Sequence, residues 1–538
     1  MNATQGKKLA SAAVIVMSSI IISRVTGFIR ESMLSWKVGL SWAQDAYIAA
    51  FTVPDLMYTL LVGGTISAAL IPVLSAFLEK GEEEKGWRAT STFINIIFSG
   101  MFLLSILGIF MAPYIIPMVT PGFDQKSPET KELAILLTRI LFPSVSFIML
   151  AGICNGVLNS YRKFAAAAYG PSIYNIGCAL SIFLFADNNR ESMIKVATGV
   201  ACSAAVYFLF QFAFSLKNFK YYKLHFEIRN SDFIRLFKQA IPSLLSSSIV
   251  QVNVIVSTAF VSLSVMQGSL AAFRNANTAW QLPYGVFAMG IGTAVLPTLS
   301  RKYAAGDFDD FRNILTRSLT SVLFLSMPAA VGFIVLKEPI VRAIFNWGGK
   351  FDEESVAIVA GILAFFSFAM ITQSIVATIN RGFYALHDTK TPLLTGIVAV
   401  VLNFSFGFAF YRLTNLQASG MALSYSIIST VNAILLMILL NRKIKGIHLN
   451  KFFIFVVKAI PASVVMGVVL FLLDGLPVNM VTKPQQLIFL MVEIIVGVLV
   501  YISVMILLKG EEAVYLAGII KIKINGIKEK CKKMQINH

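Results

Sequence analysis

The sequence predicts an all-α polytopic membrane protein: about 14 transmembrane helices, arranged as two parallel-repeat six-helix lobes plus a C-terminal helix pair. Three observations carry this. Hydrophobic residues make up 57% of the chain and charged ones only 13%, against roughly 25% charged in a soluble domain, and mean hydropathy is +0.76. Apolar stretches long enough to span a bilayer, about 17–25 residues each, recur through all 538 residues and leave no room for a large soluble domain. These stretches are continuous and do not alternate with period two, which selects helices over a transmembrane barrel.

Apolar windows between charged or Pro/Gly-rich punctuation place the spans at 9–34, 44–78, 89–119, 131–159, 164–186, 193–216, 236–264, 270–300, 313–336, 355–386, 391–412, 418–441, 452–473 and 485–508. The first follows "MNATQGKK" with no small-residue cleavage site, so it reads as a retained helix and not a removed signal peptide. The second span resembles the eighth: "IPVLSAFLEKGEEEKGWR" aligns with "LPTLSRKYAAGDFDDFRN", pairing Pro72 with Pro297. The fourth resembles the tenth through "GVLNSYRKF" and "GFYALHDTKTP", pairing Gly156 with Gly382. Each match steps over six helices, an even number, so the halves are parallel repeats about an axis along the membrane normal. Pro54 and Pro72 lie in the second span beside Gly63 and Gly64, and Pro283 and Pro297 in the eighth beside Gly285, Gly290 and Gly292. Proline breaks a backbone hydrogen bond, and at membrane depth the freed carbonyl must face protein or a wet cavity. Repeated in both halves, the pattern predicts bent helices lining a cleft. The expected divisions are an N-lobe over 1–220, a C-lobe over 221–445, the outlying helix pair over 446–510, and a basic tail over 511–538 that includes "KIKINGIKEKCKK".

Orientation follows from the cations. If the amino terminus is cytoplasmic, inside segments collect about thirty Lys and Arg against about twelve outside, which places both termini in the cytoplasm. The same bias accounts for most of the +18 net charge and implies attraction to anionic membrane lipids. The basic residues are scattered over many short loops, so nucleic-acid binding is not expected. A monomer is the favoured oligomeric reading.

No catalytic constellation is present. His225, His387, His448 and His538 are scattered, the four cysteines Cys154, Cys178, Cys202 and Cys531 lack metal spacing and read as free thiols, and no GxxxxGK[ST] phosphate loop occurs. The chain is therefore not expected to be an enzyme or to carry a cofactor or metal. Transport would draw on a gradient, the membrane potential or the substrate's own fate.

Charges inside spans are the remaining signal. "SRVTGFIRE" puts Arg24, Arg30 and Glu31 in the first helix. Arg24 is roughly 24 Å past the start of its span at 1.5 Å per residue, and an arginine at that depth costs at least about 2.5–3.5 kcal/mol, which implies a cavity-facing role or a permanent pair with Asp45. Arg30 and Glu31 have two readings, interfacial beside Trp36 and Trp42 or facing a cleft. Arg274 heads the eighth span with the same two readings, while Arg139 and Lys458 lie near helix ends and read as snorkelling. On the cleft reading Arg24, Arg30 and Arg274 line one site and hold an anion, a lipid-linked phosphate or pyrophosphate by the geometry of their forks, with Asp45 orienting Arg24 when the site is empty and Glu31 a local counter-ion. Asn253 and Asn403 offer a sodium site or, more commonly, an interhelical hydrogen bond. Gly27 offers a bend between the two arginines of the first helix.

In order, "SRVTGFIRE", "DAYIAAFTVPDL", "GGTISAALIPVLS", "VLNSYRKFAAAAYGPSIYNI", "LPYGVFAMGIGTAVLPTLS" and "GFYALHDTKTP" resemble the MurJ (MviN) lipid II flippase family of the multidrug/oligosaccharidyl-lipid/polysaccharide exporter superfamily, over roughly residues 10 to 440. The resemblance implies fourteen helices in two lobes plus a terminal pair, an inward-open V-shaped cavity, and movement of undecaprenyl-pyrophosphoryl disaccharide-pentapeptide to the outer leaflet for peptidoglycan synthesis. It marks positions matching Arg24, Arg30 and Asp45 as functionally important cavity residues. The chain departs from better-known members after "PDL", where Tyr58 and Thr59 replace an arginine pair and Gly63 an acidic residue, and in the eighth helix, where Thr278 stands for an arginine and Arg274, one turn earlier on the same face, is read as its substitute. The alternatives are a flippase for another polyprenyl-linked glycan, a drug/cation antiporter of the same superfamily, and a non-transporting scaffold. An antiporter for cations calls for cavity carboxylates, whereas the candidate residues here are net cationic.

Overall fold

The computed structural model describes residues 3–59, 66, 69–477, 482–514 and 518. The helices are α1 (Ala3–Val38), α2 (Trp42–Tyr58), α3 (Ile71–Glu79), α4 (Glu83–Val119), α5 (Phe123–Lys126), α6 (Pro128–Ser160), α7 (Phe164–Phe185), α8 (Arg190–Ser215), α9 (Ser231–Ser262), α10 (Ser269–Ala304), α11 (Phe308–Val335), α12 (Lys337–Phe345), α13 (Glu353–Ala385), α14 (Lys390–Leu413), α15 (Gln417–Lys443), α16 (Leu449–Asp474) and α17 (Lys483–Leu507). A helix stands at every span the apolar pattern predicts. The second span contains α2 and α3, with Pro72 in the first turn of α3, and Pro283 and Pro297 lie inside α10. Gly63 and Gly64 fall outside the described residues, as do Cys531, His538 and the "KIKINGIKEKCKK" segment.

Among the described residues, eleven of these helices are long and apolar enough to cross a membrane; the expected spans at α1, α2 and α9 are not among the eleven. Large apolar side chains such as Phe110, Met118, Leu180, Val457 and Leu499 are exposed along the helices, as expected where the solvent is lipid and helices satisfy their own backbones. Polar caps set helix starts: Asn189 accepts from the Ser192 N–H, Asn230 from the Asp232 and Phe233 N–H groups, and Thr482 forms a capping box with Gln485.

Two compact units emerge. The first holds the chain up to Asn275 with Phe345–Val356 and Val400–Met421, so it reaches past residue 220, where the repeat pattern draws its boundary. Local contacts explain the extension. Residues 219–230 run without helix along α4, where Asn95 donates to the Lys223 and His225 carbonyls at 3.2 and 2.9 Å, Ser91 and Thr92 accept the Lys223 and Glu227 N–H groups, and Arg88 pairs with Glu227 at 2.7 Å. α9 then packs on α4 through Phe233, Leu236 and Ala240. Within this unit α6 packs on α8 and α4, and α1 on α7. Gly156 lets α6 approach so closely that a Cβ there would sit 2.7 Å from Ile66.

In the second unit, Ala276–Ile344, Ala357–Ala399 and the chain from Ala422 on, α16 packs between α11 and α17. The "HDTKTP" turn owes its form to Asp388, which accepts from the Lys390 and Thr391 N–H groups at 3.1 and 3.0 Å, from the Thr391 hydroxyl at 2.7 Å and from Lys443 at 2.5 Å. Burial alone would raise the Asp388 pKa, but these donors outweigh it and hold the carboxyl at about 2. A carboxylate depressed on folding stabilises fully above its unfolded value, about 3.9, and loses that contribution as pH falls through the folded one. Asp388→Ala is therefore expected to cost about 0.5–2 kcal/mol in thermal unfolding at neutral pH, with the difference from wild type closing only between about pH 4 and about pH 2.

Candidate functional site

α1 brings two of its charges together and α10 supplies a third. Arg30 donates to the Glu31 carboxylate at 2.6 Å, and Arg274 donates to the same carboxylate through two guanidinium nitrogens at 3.0 and 3.3 Å. Their side chains are 20%, 12% and 30% exposed in the order Arg30, Glu31, Arg274, so all three turn inward against protein. One carboxylate stands between two guanidiniums, and a second offsets the charge that remains. Asp55, half exposed on α2, lies 3.9 Å from Arg274 and is the nearest further acid. The residues enclose a cavity of about 10 Å³ with Leu34, Tyr47 and Phe51, room for a single water.

Asn175 of α7 fixes this end of α1. Its side chain accepts from Arg30 at 3.3 Å and donates to the Ser23 carbonyl at 3.1 Å. Gly27 makes the approach possible, since a Cβ there would lie 3.3 Å from the Asn175 amide nitrogen. α1 is continuous from Ala3 to Val38, and Gly27 lies in it at the close packing against Asn175.

Asp45 has a different task from orienting Arg24. It is buried at 5% exposure, and its two oxygens accept the Gly268 and Ala271 N–H groups, both at 2.9 Å. These belong to the first turn of α10 and the residue before it, groups with no intrahelical acceptor. A carboxylate there also complements the positive end of the helix dipole. Gly268 is required at this joint: its φ is +78°, and a Cβ would stand 2.5 Å from the Leu40 backbone. Asp45→Ala is expected to orphan both N–H groups and lower stability by about 1–3 kcal/mol, read as thermal unfolding of the purified protein; an unchanged melting temperature would contradict this capping role.

Arg24 lies about 10 Å further along α1 from Glu31, two turns at 1.5 Å per residue. The structure places it on a second, larger cavity of about 360 Å³, lined also by Ser19, Ser23, Asn155, Asn159 and Pro171. Arg30 and Arg274 line the smaller pocket and Arg24 the larger. Pro171 lacks the N–H that would bond the Ala167 carbonyl, and Asn155 and Gln211 donate to that oxygen instead at 2.7 and 3.3 Å. Arg139 does the same on α4, donating at 3.3 Å to the Ile109 carbonyl, the acceptor left free by Pro113. Freed carbonyls do face protein donors, at prolines other than those the repeat picked out. Lys458 donates to the Lys509 carbonyl at the end of α17 at 2.9 Å. Asn403 donates to the Asn253 carbonyl and side-chain oxygens at 3.2 and 2.5 Å and to Ser257 at 3.0 Å, an interhelical hydrogen-bond set. Cys154, Cys178 and Cys202 are free thiols, and the described residues contain no group of three or more His, Cys, Asp or Glu arranged to hold a metal.

A chain with eleven helices, among its described residues, long and apolar enough to cross a membrane is a polytopic α-helical membrane protein. The family model described as lipid II flippase MurJ matches residues 35–497. A relative in Buchnera aphidicola subsp. Acyrthosiphon pisum, named probable lipid II flippase MurJ, is 30% identical over 454 residues, 84% of this chain and 87% of that one. A Burkholderia cenocepacia protein, lipid II flippase MurJ, is 26% identical over 444 residues, 81% of this chain and 84% of its own. A solved lipid II flippase MurJ in an inward closed conformation superposes with a TM-score of 0.77 at 26% identity, covering 94% of this chain and all of that one. The chain belongs to the lipid II flippase MurJ family.

Sequence reasoning missed Asp55 and Asn175. Asp55 directly follows Pro54 inside an apolar span, and Asn175 is the polar residue at the centre of "PSIYNIGCA". Each carries a signal of intramembrane polarity that the arginines overshadowed.

Proposed function

We propose that this protein flips lipid II, the undecaprenyl-pyrophosphoryl disaccharide-pentapeptide, from the inner to the outer leaflet by alternating access, supplying peptidoglycan synthesis. The observation that supports the reading is the pair of guanidiniums, Arg30 and Arg274, turned inward on one carboxylate, Glu31. Guanidinium forks match phosphate oxygens in pairs. Glu31 occupies those forks in the substrate-free chain, and pyrophosphate, with more charge and more acceptor oxygens, takes its place. The pocket of about 10 Å³ is far too small for a pyrophosphate, so loading requires it to open, and closing around Glu31 resets it. Arg24, on the larger cavity, meets the headgroup at a separate point.

On this reading the protein is a multi-pass protein of the bacterial cytoplasmic membrane with both termini inside, and the basic residues of its inner segments rest on anionic lipid. The wild-type chain is expected to restore growth to a bacterial strain depleted of its own lipid II flippase. Lysis of that strain despite normal membrane levels of the protein would contradict the reading.

A further inference from the structure

The terminal helix pair holds an acid that the flipping reading does not use. Leu490, Glu493, Gly497, Tyr501 and Met505 form the buried stripe of α17, spaced three and four residues apart on one face. Gly497 brings that face so near α16 that a Cβ would lie 3.2 Å from Leu470. Glu493 is 1% exposed and stands roughly 15 Å along the helix from Lys483 at 1.5 Å per residue. Among the described residues neither of its carboxylate oxygens has a hydrogen-bond partner.

No described cation neutralises it. Lys483, at the head of α17, donates to the Arg342 carbonyl. α16 ends at Asp474, one turn past Leu470, as Glu493 lies one turn before Gly497, the residue packed on Leu470; at its other end α16 holds Lys451 and Lys458, the latter donating to the Lys509 carbonyl. α11 carries its charges, Asp309, Asp310, Arg312 and Arg317, within its first turns; Phe324 stacks on Tyr501 at 5.3 Å and Val331 packs at Gly467, so those charges lie beyond Tyr501 and away from Glu493. On α12, Glu338 and Arg342 act on Asp474.

An ionised carboxylate with no partner in such a place is too costly to persist, and the group takes a proton instead. We propose that Glu493 is a proton-binding site inside the α16–α17 pair, exchanging its proton by way of Asp474 at the end of α16. Binding converts the carboxylate to a neutral carboxylic acid, which the close α16–α17 contact tolerates. Release leaves one negative charge in the interface, which draws in water and loosens the pair. The site is independent of the arginine pocket, and its failure would leave the flipping reading untouched.

The test is infrared spectroscopy of the full chain in lipid nanodiscs, as the difference between wild type and Glu493→Gln from about pH 5 to about pH 10. A carboxylic-acid C=O band is expected at the acid end and is lost as pH rises. Asp474→Asn, which leaves Glu493 in place, is expected to move the loss to lower pH, because it removes a repelling negative charge. Absence of the band throughout would show an ionised, partnered Glu493 and overturn the proposal. A band of constant size across the range would show a permanently neutral structural group, and loss of the band on adding sodium at fixed pH would show a metal-ion site; either result also overturns it.

Discussion

Arg274→Ala is expected to abolish rescue of a flippase-depleted strain while the variant still reaches the membrane. Two effects combine. Glu31 loses two of its three charge-assisted contacts, at 3.0 and 3.3 Å, and Asp55 loses the guanidinium 3.9 Å away. Glu31 keeps Arg30 at 2.6 Å, so no charge is stranded and the melting temperature falls only by the loss of hydrogen bonds to a charged group, about 1.5–3 kcal/mol. Arg139→Ala is the comparison. Arg139 covers a carbonyl freed by Pro113, so its loss costs about 1–3 kcal/mol of stability and leaves rescue intact. Equal tolerance of Arg274→Ala and Arg139→Ala would remove Arg274 from the site.

Arg24→Ala is expected to abolish rescue too, at normal membrane levels of the protein. Arg24 is exposed on the cavity of about 360 Å³, where its guanidinium can meet phosphate oxygens. Arg24→Lys keeps the charge but not the fork, and is expected to retain partial rescue. Normal growth with Arg24→Ala at normal expression would contradict the anion role.

The helices were legible because lipid demands continuous apolar windows, and a helix stands at every window. The costly charges of α1 identified themselves by depth. Their partners did not, since Glu31 and Arg274 are 243 residues apart and meet only when the head of α10 is set against α1. Asp45 shows the same limit. A carboxylate near a helix start looks like a counter-ion for the nearest arginine, and only the folded chain presents it with the Gly268 and Ala271 N–H groups. Arg24 shares a helix with Arg30, and their separation along the helix puts them on different cavities. Glu493, the single acid in "LIFLMVEIIVGVLV", was as visible in the sequence as Arg24 but lay outside the repeat that drew attention to the lobes.

The most direct measurement is movement of fluorescently labelled lipid II across proteoliposomes holding the purified chain, beside Arg24→Ala and Arg274→Ala proteins reconstituted at equal density. Wild type is expected to carry lipid II to the opposite leaflet and both variants to fail. Lipid II that stays in place with wild type, or crosses at the wild-type rate with both variants, would contradict flipping through these arginines.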